Sequence, residues 1–269
     1  MEPVLRPNPG PGYAAHPGYR VDLEPCPKRL RVVFGGEPIA DSTGALILLE
    51  SRHTPVYYFP RADVRLDCMT RTDHHTHCPF KGEASYWTIS VGDRTAENAV
   101  WSYEAPFDEV AAVKDHRAFY WDRMDAWYEE DEEVFVHARS PHVRIDLLES
   151  HRPVRVVLGG EVIAETSRAR FLFETGLPVR YYIPKADVRM ERLEESESRS
   201  ACPYKGTARY FSARIGGRIF DDIVWSYPEP LCEVAPIKDY LCFYNERVDA
   251  LTVDGDDVVK TAEKPSEGS

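Results

Sequence analysis

The chain has 269 residues, 43% of them apolar and 29% charged, with a formal net charge of -12. No apolar run approaches the ~18 residues that a membrane span requires, and an acidic surface repels a phosphate backbone, which argues against a nucleic-acid polymer as partner. The acidic excess sits in patches, Glu129 to Glu133, Glu191 to Glu197 and the stretch from Asp254 onward, and these read as solvated loops.

Residues 1–15 are rich in Pro and Gly and read as an unordered tail, because they cannot bury enough apolar surface to offset the entropy of ordering. They lack a basic start followed by an apolar stretch, so no signal peptide is expected and the expected location is cytoplasmic. Arg31-Val-Val-Phe, Gly35-Gly36 and Glu37-Pro-Ile-Ala predict two strands joined by a two-residue turn, whose glycines supply the positive φ of primed hairpins. Strands are predicted next at 45–50 and 56–59, then at 84–91, where a Gly92-Asp93 turn leads into a further strand. A strand at 99–103, a short helical turn within 108–115 and a strand at 118–126 follow, with no long amphipathic helix.

At Arg144 the order begins again. Sliding the chain by about 124 positions aligns 17–126 with 141–250 without a gap, and roughly 45 of about 110 aligned residues are identical. Arg20-Val-Asp-Leu meets Arg144-Ile-Asp-Leu, Cys78-Pro-Phe-Lys-Gly meets Cys202-Pro-Tyr-Lys-Gly, and Val100-Trp-Ser-Tyr meets Val224-Trp-Ser-Tyr. A unit of this length holds its own core. The predicted fold is therefore mainly β, as two tandem homologous compact domains of β-sandwich or barrel-like form. Their expected extents are 16–139 and 140–255, with a second unordered tail at 256–269. The join near 136–141 is short, which predicts close packing of the two domains within the chain.

The duplication separates what stayed from what drifted. On the strand at 84–91, Trp87, Ile89 and Val91 share one face and become Phe211, Ala213 and Ile215, the drift of a core needing only apolar bulk. Ala84 and Tyr86, on the other face, remain Ala208 and Tyr210. An unchanged Tyr off the core face points to a specific contact, whether a ligand or a neighbouring backbone group.

Of six cysteines only Cys78 and Cys202 are twins, which argues against a disulfide framework. Each stands three residues before a kept lysine, Lys81 or Lys205, and a nearby ammonium raises the thiolate fraction that a nucleophilic or redox cysteine needs. The same pattern suits a tight Pro/Gly turn with a small buried thiol and a lysine paired to Glu50 or Asp63. His74, His75 and His77 look like metal ligands, but the second copy has Ser198, Arg199 and Ala201 there, so they read as a polar loop.

A third group of twins joins charge to aromatic surface: Arg31, Glu50, Tyr57, Tyr58, Asp63, Arg65, Trp101, Ser102, Tyr103, Lys114 and Asp115. Such mixtures line small-ligand pockets, though they also build ion pairs and aromatic clusters. No glycine-rich nucleotide loop, Walker loop, nucleophile elbow or His-Glu-x-x-His occurs.

In sequence order, Arg-Val-x-x-Gly-Gly-x-x-Ile-Ala, Tyr-Tyr-x-Pro-x-Ala-Asp-Val-Arg, Cys-Pro-x-Lys-Gly-x-Ala-x-Tyr and Trp-Ser-Tyr occur twice. This combination resembles the domain of unknown function DUF427, over 16–128 and again over 140–252. The resemblance implies a compact, mainly β domain, found alone or in tandem, often in bacteria, and sometimes labelled a nucleotidyltransferase. It also implies that Cys78, Lys81, Gly82, Tyr86, Trp101 and Tyr103, with their twins, are signature residues, and it carries no mechanism. Nucleotide transfer needs a carboxylate cluster for magnesium, whereas Glu50, Asp63 and Asp115 are scattered in sequence.

The functional expectation is a small metabolite, neutral or anionic, held in an aromatic and charged pocket in each domain, with no cofactor named. The first pocket would use Glu50, Tyr58, Asp63, Arg65, Tyr86, Trp101 and Tyr103. The second would use Glu174, Tyr182, Asp187, Arg189, Tyr210, Trp225 and Tyr227. One alternative is an enzyme whose nucleophile or redox group is Cys78 or Cys202, activated by Lys81 or Lys205. The other is a structural interaction module.

Overall fold

The computed structural model describes residues 7–258. The chain divides into two compact units between Ser140 and Pro141, and each is mainly β.

In the first unit, alternating apolar residues and glycine turns give β1 (Val21–Pro25), β2 (Leu30–Phe34), β3 (Glu37–Ser42), β4 (Leu46–Glu50), β5 (Val56–Pro60) and β6 (Met69–Cys78). They continue with β7 (Gly82–Val91), β8 (Arg94–Ser102), β9 (His116–Phe119), β10 (Ala126–Glu129) and β11 (Glu132–Val134). A seven-stranded sheet runs β1-β4-β5-β9-β8-β7-β6 and a four-stranded one β11-β10-β2-β3. All pairings are antiparallel. Neither sheet closes into a barrel; they pack as a sandwich.

The larger sheet is apolar on both faces, and this explains why its central strands read as continuous apolar runs. Ile47, Tyr57, Phe59, Trp87, Ile89, Val100 and Phe119 point into the core shared with Leu30, Val32, Phe34 and Ile39 of the small sheet. Their neighbours Leu48, Tyr58, Tyr86, Trp101 and Ala118 emerge on the opposite face and form a second cluster with Val113. The face predicted to lie off the core is thus itself largely buried and built in good part of aromatic rings.

The Gly35-Gly36 turn has φ of 63° and 78°, as the primed hairpin requires. Gly35 also lies against β7, where an added Cβ would sit 2.8 Å from the Val91 Cβ. The β7–β8 pairing shifts register between Trp87 and Ile89, opposite Asn98 at φ 50°.

Three expectations are corrected. The polar segment around His74 is the outer end of β6, a ten-residue edge strand, because its backbone pairs with β7 although its side chains bury little. The strand expected at 118–126 is two strands, β9 and β10, separated by a 3-10 turn at Trp121–Arg123 that carries the chain from one sheet to the other. Within the N-terminal stretch read as unordered, α1 (Pro11–Ala15) forms one turn. Its Gly12 amide donates to the Pro79 carbonyl at 2.9 Å, and Tyr13 sets its edge on the Phe80 ring. Two aromatic side chains supply there the surface that composition alone did not credit. Residues 1–6 and 259–269 of the two expected tails lie outside the described residues.

The second unit repeats the design with β12 (Ile145–Glu149), β13 (Val154–Leu158), β14 (Glu161–Thr166), β15 (Arg170–Glu174), β16 (Arg180–Pro184) and β17 (Leu193–Cys202). Then come β18 (Gly206–Ile215), β19 (Arg218–Ser226), β20 (Tyr240–Phe243), β21 (Ala250–Val253) and β22 (Asp256–Asp257). Its sheets run β12-β15-β16-β20-β19-β18-β17 and β14-β13-β21-β22. Asp256 and Asp257, expected in the tail, pair with β21. Even the register shift recurs, between Phe211 and Ala213 opposite Asp222 at φ 47°.

Candidate functional site

The outer face of the large sheet in the first unit carries a cleft of about 380 Å³. Its floor comes from β4, β5, β7, β8 and the residue just after β8, which project Leu48, Tyr58, Tyr86, Trp101 and Tyr103 to one side because alternate residues of extended backbone share a face. One wall is the turn Cys78-Pro79-Phe80-Lys81, and Tyr19, Glu50, His53, Val56 and Tyr120 complete the lining.

The turn is fixed by backbone. Lys81 N–H donates to the Cys78 carbonyl at 3.3 Å, and Phe107 N–H donates to the Lys81 carbonyl at 3.2 Å. Gly82 closes it at φ 103°, where a Cβ would lie 3.2 Å from the Ala105 carbonyl oxygen. This conformation and this approach both favour glycine. The turn swings the Lys81 side chain inward, where it is 8% exposed and its ammonium bonds Glu50 Oε2. The other carboxylate oxygen, Glu50 Oε1, accepts from the Tyr19 hydroxyl at 2.7 Å. Tyr19 is stacked on Phe80 with ring centroids 3.8 Å apart and planes at 12°.

The aromatic floor is held by side-chain hydrogen bonds. Trp101 Nε1–H donates to Tyr58 OH at 3.2 Å, with the two rings edge to face. Tyr86 OH shares a 2.8 Å bond with Thr76 Oγ1 and a further bond with Tyr120. Tyr103 differs from them. It is 6% exposed and lines the cleft, yet among the described residues its hydroxyl has no hydrogen-bond partner. Burial drives the ionisation of Tyr58 and Tyr103 well above the ordinary phenol range, and burial with the Tyr86 bond raises Tyr120 to about 12. These phenols stay neutral donors across physiological pH.

Seven of the residues singled out by the self-match meet at this cleft: Glu50, Tyr58, Cys78, Lys81, Tyr86, Trp101 and Tyr103. Asp63 and Arg65 do not. Asp63 accepts from Ser42 Oγ at 2.6 Å, while Ser42 Oγ accepts from Gly44 N–H, so this carboxylate pins the corner between β3 and β4. Arg65 faces solvent beside Asp67 at 3.1 Å and Glu37 at 3.6 Å. Tyr19, His53, Val56 and Tyr120 were not anticipated. Tyr120 has an identical twin, Tyr244, and the self-match contained that signal; the other three positions differ between copies.

The second unit keeps the same frame. Lys205 pairs with Glu174, Trp225 Nε1–H donates to Tyr182 OH at 3.2 Å, and Tyr210 OH bonds Ser200 Oγ at 2.7 Å. Tyr227, buried in the same cluster, likewise has no side-chain hydrogen bond among the described residues. Cys202 is half-buried, as is Cys78. Asp187 and Arg189 again lie apart, lining a separate polar cleft of about 420 Å³ with Glu165 and Glu191. Asp187 accepts there from Thr166 Oγ1 at 2.6 Å and from Arg168 at 2.7 Å.

The β6 histidines diverge: the His74 ring lies 4.5 Å from that of Tyr86, and His75 Nδ1 is 3.6 Å from Glu83. No three His, Cys, Asp or Glu side chains are grouped as metal ligands among the described residues. No described helix is long and apolar enough to cross a membrane.

A family model described as a domain of unknown function, DUF427, matches residues 22–130 and again 146–254. No curated protein matches the chain.

Proposed function

The chain belongs through both halves to the DUF427 family of domains of unknown function, and from that premise we propose that it is a binding protein for a small planar metabolite bearing an oxygen acceptor, such as a carboxylate. The observation that carries this reading is the Tyr103 hydroxyl, a donor on a buried ring that faces the cleft and has no protein acceptor. The hydroxyl itself is not sealed from solvent; it opens onto the cleft, where an acceptor on a ligand can replace water as its partner. Trp101 and Tyr120, with centroids 4.7 Å apart, offer ring surface for stacking, and the Lys81–Glu50 pair leaves the cleft close to neutral. Arg65 lies outside the cleft and takes no part in binding.

A thermal-shift screen of aromatic acids, amides and phosphorylated metabolites tests it. Some of these compounds are expected to raise the melting temperature, and Trp101→Ala is expected to remove the rise while the protein remains folded. A broad library without effect on the full chain refutes the reading.

A second reading, a nucleophilic or redox thiol, rests on Cys78 lining the same cleft. Its activation was expected from Lys81, but that ammonium is bonded to Glu50. Cys232 is exposed, whereas Cys26, Cys68 and Cys242 are buried with burial pushing their thiols up. Alkylation near neutral pH is therefore expected to modify Cys232 first. Faster modification of Cys78 and Cys202 than of Cys232 would reverse this and establish activated thiols.

A further inference from the structure

The two units share a hydrogen-bonded frame but not the space around it. Four positions packed against the first aromatic cluster, Val21, Val56, Val113 and Ala118, are aligned with Ile145, Arg180, Ile237 and Cys242. Each of these four changes enlarges the side chain, whereas at the rim of the cleft Tyr19 aligns with the smaller Val143. Ile145, Ile237 and Cys242 pack within the second cluster, and Cys242 is fully buried. Interiors are close-packed, so added methyl groups, a sulfur and a guanidinium on one unchanged frame consume free volume.

Arg180 has the largest effect. Its guanidinium carbon lies 5.5 Å from the Trp225 ring centroid, over a ring whose twin, Trp101, has Val56 at the corresponding place. Arg180 is held there. Its Nη1 is 3.0 Å from Glu246 Oε1, and the next residue along, Asn245, donates from its side-chain amide to the Val179 carbonyl at 2.9 Å. Burial alone would raise the Glu246 carboxyl, but its bonds to Arg180 hold it below the ordinary range, so the pair is ionised at neutral pH. The burial of the rings agrees with this: Trp225 is 8% exposed and classes with the core, whereas Trp101 is only partly covered. Tyr244 flanks Trp225 at 4.6 Å just as Tyr120 flanks Trp101, so the extra cover on Trp225 comes from the guanidinium side.

We infer that the second cleft is occupied by the protein's own side chains, with Arg180 acting as an internal plug over Trp225, and that each chain binds one ligand, in its first domain. This rests on the ligand-binding reading above. The Lys–Glu pair and the Trp–Tyr bond recur in both units as parts of the shared frame.

Indole N–H signals of the 15N-labelled full chain, assigned with Trp101→Phe and Trp225→Phe, read the two clefts separately. The probes are benzoate, benzamide and phenyl phosphate. Saturable shifts are expected at Trp101 with no movement at Trp225. Arg180→Val is expected to make Trp225 respond with the same probe. The converse variant, Val56→Arg, places an arginine where Asp122 stands at the position of Glu246, and it is expected to weaken the Trp101 response at least tenfold. Equal midpoints for Trp101 and Trp225 in the unaltered chain overturn the plug while leaving the ligand cleft standing. A silent Trp225 in Arg180→Val, with Trp101 responding, also overturns it. Silence of both indoles in every form removes the ligand cleft itself and the inference with it.

Discussion

Tyr103→Phe and Tyr57→Phe delete the same oxygen from two buried tyrosines of one domain, and they are expected to act differently. Tyr57 OH donates to Glu129 Oε1 at 2.7 Å, and a hydrogen bond to a charged group contributes about 1.5–3 kcal/mol. Because Glu129 keeps Lys28 and Arg139, the loss in Tyr57→Phe should lie near the lower end, about 1.5–2 kcal/mol. Tyr103 OH has no protein partner to lose. Its deletion should leave stability unchanged or raise it by up to ~1 kcal/mol, by removing a half-desolvated hydroxyl. Ligand affinity should show the reverse pattern. Loss of a donor to a neutral acceptor weakens binding by ~2–10-fold, and to a carboxylate by ~10–150-fold, whereas Tyr57, on the inter-sheet side, should leave affinity intact. Urea unfolding followed by tryptophan fluorescence reads the first domain, since it holds Trp87, Trp101, Trp121 and Trp127, leaving only Trp225 in the second. Equal destabilisation by the two variants would mean that Tyr103 has a structural partner, and the ligand-binding reading would lose its anchor.

Glu129→Gln is expected to destabilise the first domain by about 2–3 kcal/mol, below the 3–5 of a fully buried pair because Lys28 and Arg139 are partly exposed and rehydrate. Burial alone would raise the Glu129 carboxyl, but bonds from Lys28 and Tyr57 outweigh it and hold the folded value below the ordinary range. The stability it contributes is therefore complete above about pH 4.3 and lost as pH falls through the folded value. Acid titration of the unfolding midpoint should show this loss in the native chain and not in the variant; an unchanged pH dependence refutes it. Gly35→Ala should cost more than Gly36→Ala. Both pay ~1–2 kcal/mol for left-handed backbone, but only Gly35 directs a Cβ to within 2.8 Å of Val91, so equal unfolding midpoints would exclude a packing role for that glycine.

Much of the lining of the candidate cleft was legible because the chain carries its own comparison. Residues that do one job twice stay the same, and the filter found Glu50, Tyr58, Cys78, Lys81, Tyr86, Trp101 and Tyr103. It also returned Asp63 and Arg65, since a carboxylate that pins a strand corner is kept as faithfully as one that lines a cleft; identity reports constraint, not its cause. It passed over Tyr19 and Val56 for the opposite reason: these positions differ between copies. The β6 strand escaped because edge strands are held by backbone bonds on one side, and polar side chains there leave no alternating signal.

The sequence by itself determined the duplication, the β class, the glycine hairpins and the pool of twin residues, all of which depend on local backbone chemistry and side-chain period. Only the tertiary structure decided that the large sheet is apolar on both faces, that Lys81 bonds Glu50 rather than Asp63, and that Tyr103 alone lacks a partner on the cleft floor. It also decided that Arg180 covers Trp225 while Val56 leaves Trp101 open. Those outcomes depend on which strands become neighbours in a sheet ordered β1-β4-β5-β9-β8-β7-β6, and adjacency between residues tens of positions apart is set by packing rather than by local chain pattern.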